Sequence, residues 1–382
     1  MSPLTKRILR ITGWTVCLAA AVATVCAAYG GVVNPVVTTI PAILSMTFPF
    51  WLGLSAALLI AALLARARRM ALVPLLGILC SAGPAASYTP VNLFRENVAE
   101  RDSSRVFTLL SYNTANFVGV NDGAVPAEKY LAPGAPRNGI AEYIIESGAD
   151  IVVAQEFPPM RPNPFLGFTA EMIDTLAAVY PHTQHFPPSA YAEGEHRCRI
   201  FSKFPMRRVE LPPPSGSAEW SAAMVDIRGM ETLVVDVHLQ SIGLSRQDKE
   251  LYRELTEGDG RGKMREVRQT LIGKLSRAMR LRAWQAVRLR QAIDSIGAPN
   301  VIVAGDFNDI PGCYALREIA GGDFRNAFND AANGPMITFH SDRFYFHIDH
   351  ILYRGAMEAV DLRRGPCAES DHYPLLATFL TR

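Results

Sequence analysis

Two things are scarce in this chain: cysteine at any pairing distance, and net charge. Cys17, Cys26 and Cys80 lie within apolar runs, where a small hydrophobe needs no further role. Cys198, Cys313 and Cys367 remain as an odd set with no CxxC spacing, which indicates neither a disulfide framework nor a zinc site and leaves room for one bridge at most. A formal net charge of +2 implies none of the general nucleic-acid affinity of a strongly basic chain. Internal repeats and low-complexity tracts are also missing, and no serine or cysteine elbow offers a nucleophile.

Apolar residues are plentiful and unevenly placed. They make up 49% of the 382 residues at a mean hydropathy of +0.10, and the excess lies before about residue 90, so a membrane part precedes a globular part. Ile11 to Val33 is uncharged and long enough to cross a bilayer core, which takes roughly 20 apolar residues. Ile40 to Ala65 is a second, longer run. Met70 to Tyr88 is a third, interrupted by Pro74 and Pro84. A signal peptide would explain the first run alone. Lys6, Arg7 and Arg10 precede the first run, and Arg66, Arg68 and Arg69 separate the second from the third, while Gly30 to Thr39 carries no charge. By the positive-inside rule both basic clusters stay in the cytoplasm. The expected organisation is an integral membrane protein with spans at about 11–33, 40–65 and 70–88, a polar linker at 89–105, and one globular domain at 106–382 outside the cytoplasm. If the third run does not cross, the domain lies inside.

Within that domain, Val106 to Tyr112 predicts a strand ending at Asn113, Arg137 to Ser147 an amphipathic helix, and Asp150 to Ala154 a strand ending at Gln155-Glu156. Arg199 to Ser202 predicts another strand, and Ala222 to Ile227 with Thr232 to Val237 a hairpin turning at Gly229 and ending in His238. A long helix at about 261–296 leads into the apolar strand of VIVAGDFNDI, Val301 to Ile310. Phe344 to Leu352 carries Asp349 and His350 in a further strand, and Ser370-Asp371-His372 opens the last one, Tyr373 to Leu380.

Polar residues recur at these strand ends. Asp306 and Asn308 stand two apart, so both leave one face of the strand. With Asn113, Glu156, His238, Asp349, Asp371 and His372 they form a series of eight. Singly each has a bland role: a terminal Asn forms turns, Glu156 caps a loop, and His238 sits hydrogen-bonded in a core. Together, carboxylates and imidazoles without a nucleophile suggest a hard metal ion and water chemistry.

SYN at 111–113, QE at 155–156, VHL at 237–239, GDFN at 305–308, IDHIL at 348–352 and SDH at 370–372 resemble, in order, the motifs of the endonuclease/exonuclease/phosphatase superfamily. The resemblance covers about 106–382. It implies an α/β (α+β) four-layer α-β-β-α sandwich and a Mg²⁺-dependent phosphoesterase, with Mn²⁺ able to replace Mg²⁺. By motif, Glu156 would be the main metal ligand, with Asn113 assisting and Asp371 binding metal or supporting the site. Asp306 would orient or deprotonate the attacking water, and Asn308 would hold the phosphate. His238 and His372 would contact phosphoryl oxygens, and Asp349 would pair with His372. The chemistry fits, because Mg²⁺ takes oxygen ligands, and a cation with imidazolium groups offsets the charge that grows on phosphorus's oxygens.

Two positions depart from the family pattern. His347 stands where Arg is frequent, and 197–199 lacks the Gly/Asn pattern; both are expected near the substrate mouth. From Arg261 to Arg290 there are ten Lys or Arg and one acid, Glu266. Val267, Leu271, Leu275, Met279, Ala286 and Ile293 mark an apolar stripe on the same helix. The plain reading is a helix packed on the sheet with a solvated basic face. The other is contact with phosphate, from an anionic membrane surface or nucleic acid. Three functions follow: a membrane-anchored, metal-dependent phosphoesterase, most simply a phosphodiesterase, acting outside the cytoplasm on a lipid head group or a nucleic acid; a nuclease proper, degrading extracellular nucleic acid; or a catalytically silent, membrane-tethered binding module. The sequence points to no protein partner.

Overall fold

In the computed structural model the described residues are 2–92, 103–118, 137–183, 197–243, 264–341, 344–367 and 369–382, with the backbone alone described at 264–269. The N-terminal region is helical: α1 (Pro3–Ala28), α2 (Ile40–Ser45), α3 (Phe48–Leu64), α4 (Arg68–Cys80) and α5 (Ala82–Tyr88). α1, α3 and α4 pack on one another. Thr24 of α1 donates to the Trp51 carbonyl at 3.0 Å and meets Ser55 Oγ at 2.8 Å. Gly77 of α4 lies so close to Ala21 that a Cβ there would touch the α1 backbone.

Three clear spans are not what this region shows. Among the described residues one helix, running from Pro3 to Val32 with its short 3₁₀ extension, is long and apolar enough to cross a membrane. The expected second span is cut by a turn at Met46-Thr47 into α2 and the 17-residue α3, with Pro41 and Pro49 each opening a helix, as a residue lacking the N–H can do at no cost in a first turn. The third is two helices, α4 and α5, bent by 59°. Ser81 ends α4, and Gly83-Pro84 fall in the first turn of α5.

The C-terminal domain runs through β1 (Val106–Asn113), α6 (Gly139–Glu146), β2 (Ile151–Gln155), α7 (Ala170–Val179), β3 (His182–Thr183), β4 (Arg199–Ser202), β5 (Met206–Val209), β6 (Glu219–Ile227), β7 (Met230–His238) and α8 (Met264–Ile296). It continues with β8 (Asn300–Asp306), α9 (Tyr314–Ala320), β9 (Arg325–Asn326), α10 (Ala327–Ala331), β10 (Phe339–Ser341), β11 (Phe344–Phe346), β12 (Asp349–Arg354), β13 (Met357–Arg364) and β14 (Leu375–Thr381). Two six-stranded mixed sheets form, in the orders β13-β14-β1-β2-β4-β3 and β5-β6-β7-β8-β12-β9.

Three buried clusters define the layers. Phe107, Leu109, Ile151 and Val153 of the first sheet meet Val234, Ile302, Ala304 and Ile351 of the second. Leu110, Tyr112, Val152 and Ala154 face outward onto α6 and α7, and Leu233, Val235, Val301 and Val303 face outward onto α8 and α9. The order is helix, sheet, sheet, helix. Period-two alternation explains why each strand serves two cores.

The β6–β7 hairpin turns at Arg228 (φ 53°) and Gly229 (φ 89°), the pair of positive φ values that a two-residue turn needs to match strand twist. The expected single strand over Phe344 to Leu352 is instead two. β11 pairs with β10 in a separate hairpin, while β12 joins the second sheet, and the break at His347-Ile348 is held by Thr338 Oγ1, which accepts from Ile348 N and Asp349 N at 3.0 and 3.1 Å. The start of the basic helix, 261–263, lies outside the described residues, as do the side chains of Arg265, Glu266, Val267 and Arg268. Gly273 does not interrupt α8.

The helical region touches the domain at the α8/α9 layer. Asn34 donates to Tyr314 Oη at 3.1 Å, Thr39 to Ser276 Oγ at 3.1 Å, and Met46 and Tyr88 pack against the outer core of the second sheet. Of the predicted linker, 93–102 lies outside the described residues. Its first part is pinned, since Gly334 N donates to the Pro90 carbonyl at 2.8 Å.

Candidate active site

The alternation that fills the core between the sheets also builds the site. Leu109 and Ser111 lead to Asn113, Val153 to Gln155, Val234 and Asp236 to His238, and Ile302 and Ala304 to Asp306, all on the inner face. Asp349 belongs to the same row on β12. Register then sets neighbours: Asp306 lies across from His238 on one side and Asp349 on the other. Gly305 is required where β8 reaches the rim, because a Cβ there would collide with the Val237 carbonyl and its φ is +143°.

Asp306 is the hub. Its Oδ2 accepts from Asn113 Nδ2 at 3.0 Å and Asn308 Nδ2 at 3.2 Å, and lies 3.6 Å from both His238 Nε2 and His372 Nε2. Asn308 N donates to Oδ1 at 2.7 Å. His372 Nδ1 sits 2.9 Å from Asp349 Oδ2, so the far nitrogen is left to face Asp306. Glu156 Oε1 lies 3.8 Å from His238 Nε2. Asp371 stands beside His372 on the wall of a cavity of about 390 Å³, which Glu156, His238, Asp306, Asn308 and His372 also line. All eight residues expected from the sequence therefore meet at this rim, Asn113 and Asp349 as the buried supports of Asp306 and His372.

Burial pushes the Asp306 carboxyl above its ordinary pKa, with the charge of Asp349 adding to it against the opposing His372 and His238. Burial also opposes charge on His372, but Asp349 and Asp306 outweigh it and raise the imidazole to about 10. The site thus holds an acid with a strengthened hold on its proton beside a histidine that stays protonated.

Asn116, which the motif reading passed over, donates from Nδ2 to Glu156 Oε2 at 2.8 Å and fixes which oxygen faces the cavity. Its signal in the sequence is faint: an Asn three residues after Asn113. Glu156 (φ 50°), Asn308 (φ 52°) and Ala115, Asn116 and Phe117 all hold left-handed backbone, a concentration of strain at one rim. Gln155 and Asp236 were also missed. They form a buried pair at 2.6 Å behind the site, and burial raises the Asp236 carboxyl well above its ordinary value.

Of the two departures, Arg197 lies beside the rim, its carbonyl accepting from Phe157 N at 2.9 Å and its partner Glu219 pairing in register with His238, whereas His347 is turned into the core. His347 is buried, stacks on His350 and against Phe328 at 4.8 and 4.2 Å between ring centroids, and is held neutral by burial and the neighbouring His350. Arg197 pairs with Glu219 on β6, and Arg199 is buried near the Phe157 ring. The basic face of α8 is only partly solvated. Arg282 is buried and bonded to Asp309 at 3.0 Å, and Arg290 pairs with Asp294 and Asp323, whereas Arg280 and Arg288 are exposed.

The chain belongs to the Endonuclease/Exonuclease/phosphatase family, which matches residues 110–372. A Domain of unknown function (DUF8431) matches residues 6–88. No curated protein matches the chain. Among solved structures it is similar to an endonuclease/exonuclease/phosphatase family protein from Bacteroides thetaiotaomicron, at 16% identity over 72% of this chain and 98% of that one with a TM-score of 0.45. An endonuclease/exonuclease/phosphatase from Beutenbergia cavernae DSM 12333 gives 19%, 72% and 72% with a TM-score of 0.44. The human Nocturnin catalytic domain with bound sulfate gives 18%, 73% and 95% with a TM-score of 0.46. Family and buried Asp/His cluster together make the C-terminal domain a phosphoesterase.

Proposed function

We propose that the protein is a membrane-anchored, Mg²⁺-dependent hydrolase of phosphodiesters whose catalytic domain lies outside the cytoplasm. The observation that carries the chemistry is the convergence of His238 and His372 on one oxygen of Asp306, at 3.6 Å each. Two imidazoles and a buried carboxylate leave room for a phosphoryl group whose oxygens meet the imidazoles while Asp306 meets the attacking water.

The donor set suits a hard cation. Glu156 offers one free carboxylate oxygen to the cavity, its other being held by Asn116. Asp306, Asp349 and His372 also have donor atoms within 4.8 Å of one another, but His372 there is committed to Asp349 and protonated, so Glu156 is the better ligand, with Asn113 and Asp371 completing or supporting the site. When bound, a divalent cation would neutralise phosphoryl charge and favour ionisation of water. The chain's own part is then definite. Asp306, its carboxyl raised towards the useful range, takes a proton from water as the oxygen–phosphorus bond forms. The bond to the departing ester oxygen breaks, and that oxygen keeps the electron pair and is protonated from solvent. Protonated His372, with His238 and the Asn308 amide, stabilises the charge gathering on the non-bridging oxygens.

The anchoring proposal rests on the N-terminal helices. A Cβ on Gly13 would touch Met70, so the α1 end carrying Lys6, Arg7 and Arg10 lies with the α3–α4 turn carrying Arg66, Arg68 and Arg69. The contacts with the catalytic domain come from 31–46 and 88–92, at the opposite end. Basic residues at one end and the domain at the other is the arrangement the positive-inside rule expects of a bundle with its domain outside. A family match over 6–88 is longer than a leader peptide.

The test is turnover by the purified full chain of a panel of phosphodiesters and phosphomonoesters, with Mg²⁺ or with EDTA. Phosphodiester hydrolysis that EDTA abolishes is expected. Equal rates in EDTA, or a silent protein across the panel, would overturn the proposal.

A further inference from the structure

The cavity at the catalytic rim is lined by apolar as well as polar side chains. Besides Glu156, His238 and Asp371 its wall includes Met46, Leu271, Leu275, Phe344 and Phe346. At about 390 Å³ it lies within the range of small-ligand sites, about 300–1,000 Å³.

Leu271 and Leu275 were expected to seat α8 on the sheet, as Ala286 and Ile293 do. They do not. Among the described residues Leu271, Leu275 and Phe344 join none of the three buried cores, and each is half-buried along the cavity. Apolar side chains that the fold does not consume, placed beside a phosphoryl site, point to an apolar ligand group.

We infer that this wall receives the hydrocarbon part of a lipid phosphoester whose phosphate occupies the catalytic cluster, so that the substrate is an amphiphile drawn from the bilayer. The inference rests on the phosphoesterase reading above and deepens it. Three observations support a lipid over a nucleic acid. First, Met46 reaches the cavity from the turn between α2 and α3, the end of the helical bundle that meets the domain, so the apolar wall is continuous with the element that carries the exposed apolar surface of Phe50, Ile60 and Leu64. Second, the one Lys or Arg on the cavity wall among the described residues, Arg282, is buried and held by Asp309 at 3.0 Å and the Gln240 carbonyl at 2.9 Å. A polymer with a phosphate at every step would require free cations along its path. Third, the aliphatic side chains on the wall, Met46, Leu271 and Leu275 among them, outnumber the aromatic Phe339, Phe344 and Phe346, a lining that suits a hydrocarbon chain more than stacked bases.

The experiment uses the full chain in lipid nanodiscs with Mg²⁺ and three p-nitrophenyl phosphodiesters bearing a methyl, butyl or hexyl group. Burying a methylene is expected to raise kcat/KM about fourfold per carbon until the wall is covered. Leu275→Asn and, separately, Met46→Gln should each lower the hexyl-to-methyl ratio at least fivefold. Equal kcat/KM for methyl and hexyl esters in the wild type overturns the inference and leaves the phosphodiesterase reading standing. A chain-length gain that survives both variants reports partition into the bilayer and also overturns it. More efficient turnover of an oligothymidylate than of the hexyl ester overturns it in favour of nucleic acid. Failure on all three esters, methyl included, removes the phosphoesterase reading and the inference with it.

Discussion

His372 is a residue whose charge the fold sets against its burial. Desolvation alone would strip its proton, yet Asp349 at 2.9 Å and Asp306 at 3.6 Å hold it. A histidine raised from 6.5 to about 10 on folding contributes stability that is complete below about pH 6.5 and is lost as pH rises towards about 10. Urea unfolding of wild type and His372→Gln in EDTA should therefore show a stability gap that is widest in mild acid and closes in that window; a gap that widens with pH would contradict the assignment. Asn116 acts one step further back, through Glu156. Asn116→Ala should raise the Mg²⁺ concentration for half-maximal turnover by about 10- to 100-fold, with the rate at saturating Mg²⁺ much less affected. An unchanged Mg²⁺ dependence would remove Asn116 from the site.

At the scale of elements, strand ends were legible and strand breaks were not. Asn113, His238 and Asp306 could be placed because each ends a largely apolar strand, and one parity puts them all on the inner face. Phe344 to Leu352 reads as a strand just as well, and nothing local tells that Thr338, ten residues away, will take the Ile348 and Asp349 amides and split it into β11 and β12. Asn116 stayed hidden for a similar reason, since its role depends on a left-handed turn meeting Glu156 from another strand. The basic stretch of α8 misled in the other direction: charge counts do not show that Arg282 is buried against Asp309. Breaking that pair by Arg282→Leu should cost about 3–5 kcal/mol, and the double change with Asp309→Leu considerably less, as measured by denaturant unfolding. Gly305→Ala should be nearly as damaging, at about 2 kcal/mol or more, because the new methyl meets the Val237 backbone rather than a movable side chain.

For the whole molecule, hydropathy found the apolar N-terminal region but overcounted its clear spans, because a window average cannot see the turn at Met46-Thr47 or the 59° bend after Cys80. What the bundle adds is polarity of arrangement: its basic ends face away from the domain, and its other end supplies Met46 to the cavity. A reporter active only outside the cytoplasm should work when fused after Arg382 and fail when placed between Arg66 and Arg69. The reverse pair of results would put the domain inside.

Asp306, at the meeting point of two histidines, is proposed as the residue through which water is activated. That role is tested most directly by kcat for a chromogenic phosphodiester in saturating Mg²⁺, wild type against Asp306→Asn. The Asn variant keeps the hydrogen-bonding outline but cannot take a proton, so its kcat should fall by roughly 10²- to 10⁴-fold while its unfolding transition stays cooperative. A folded Asp306→Asn protein that turns over at the wild-type rate would contradict the account.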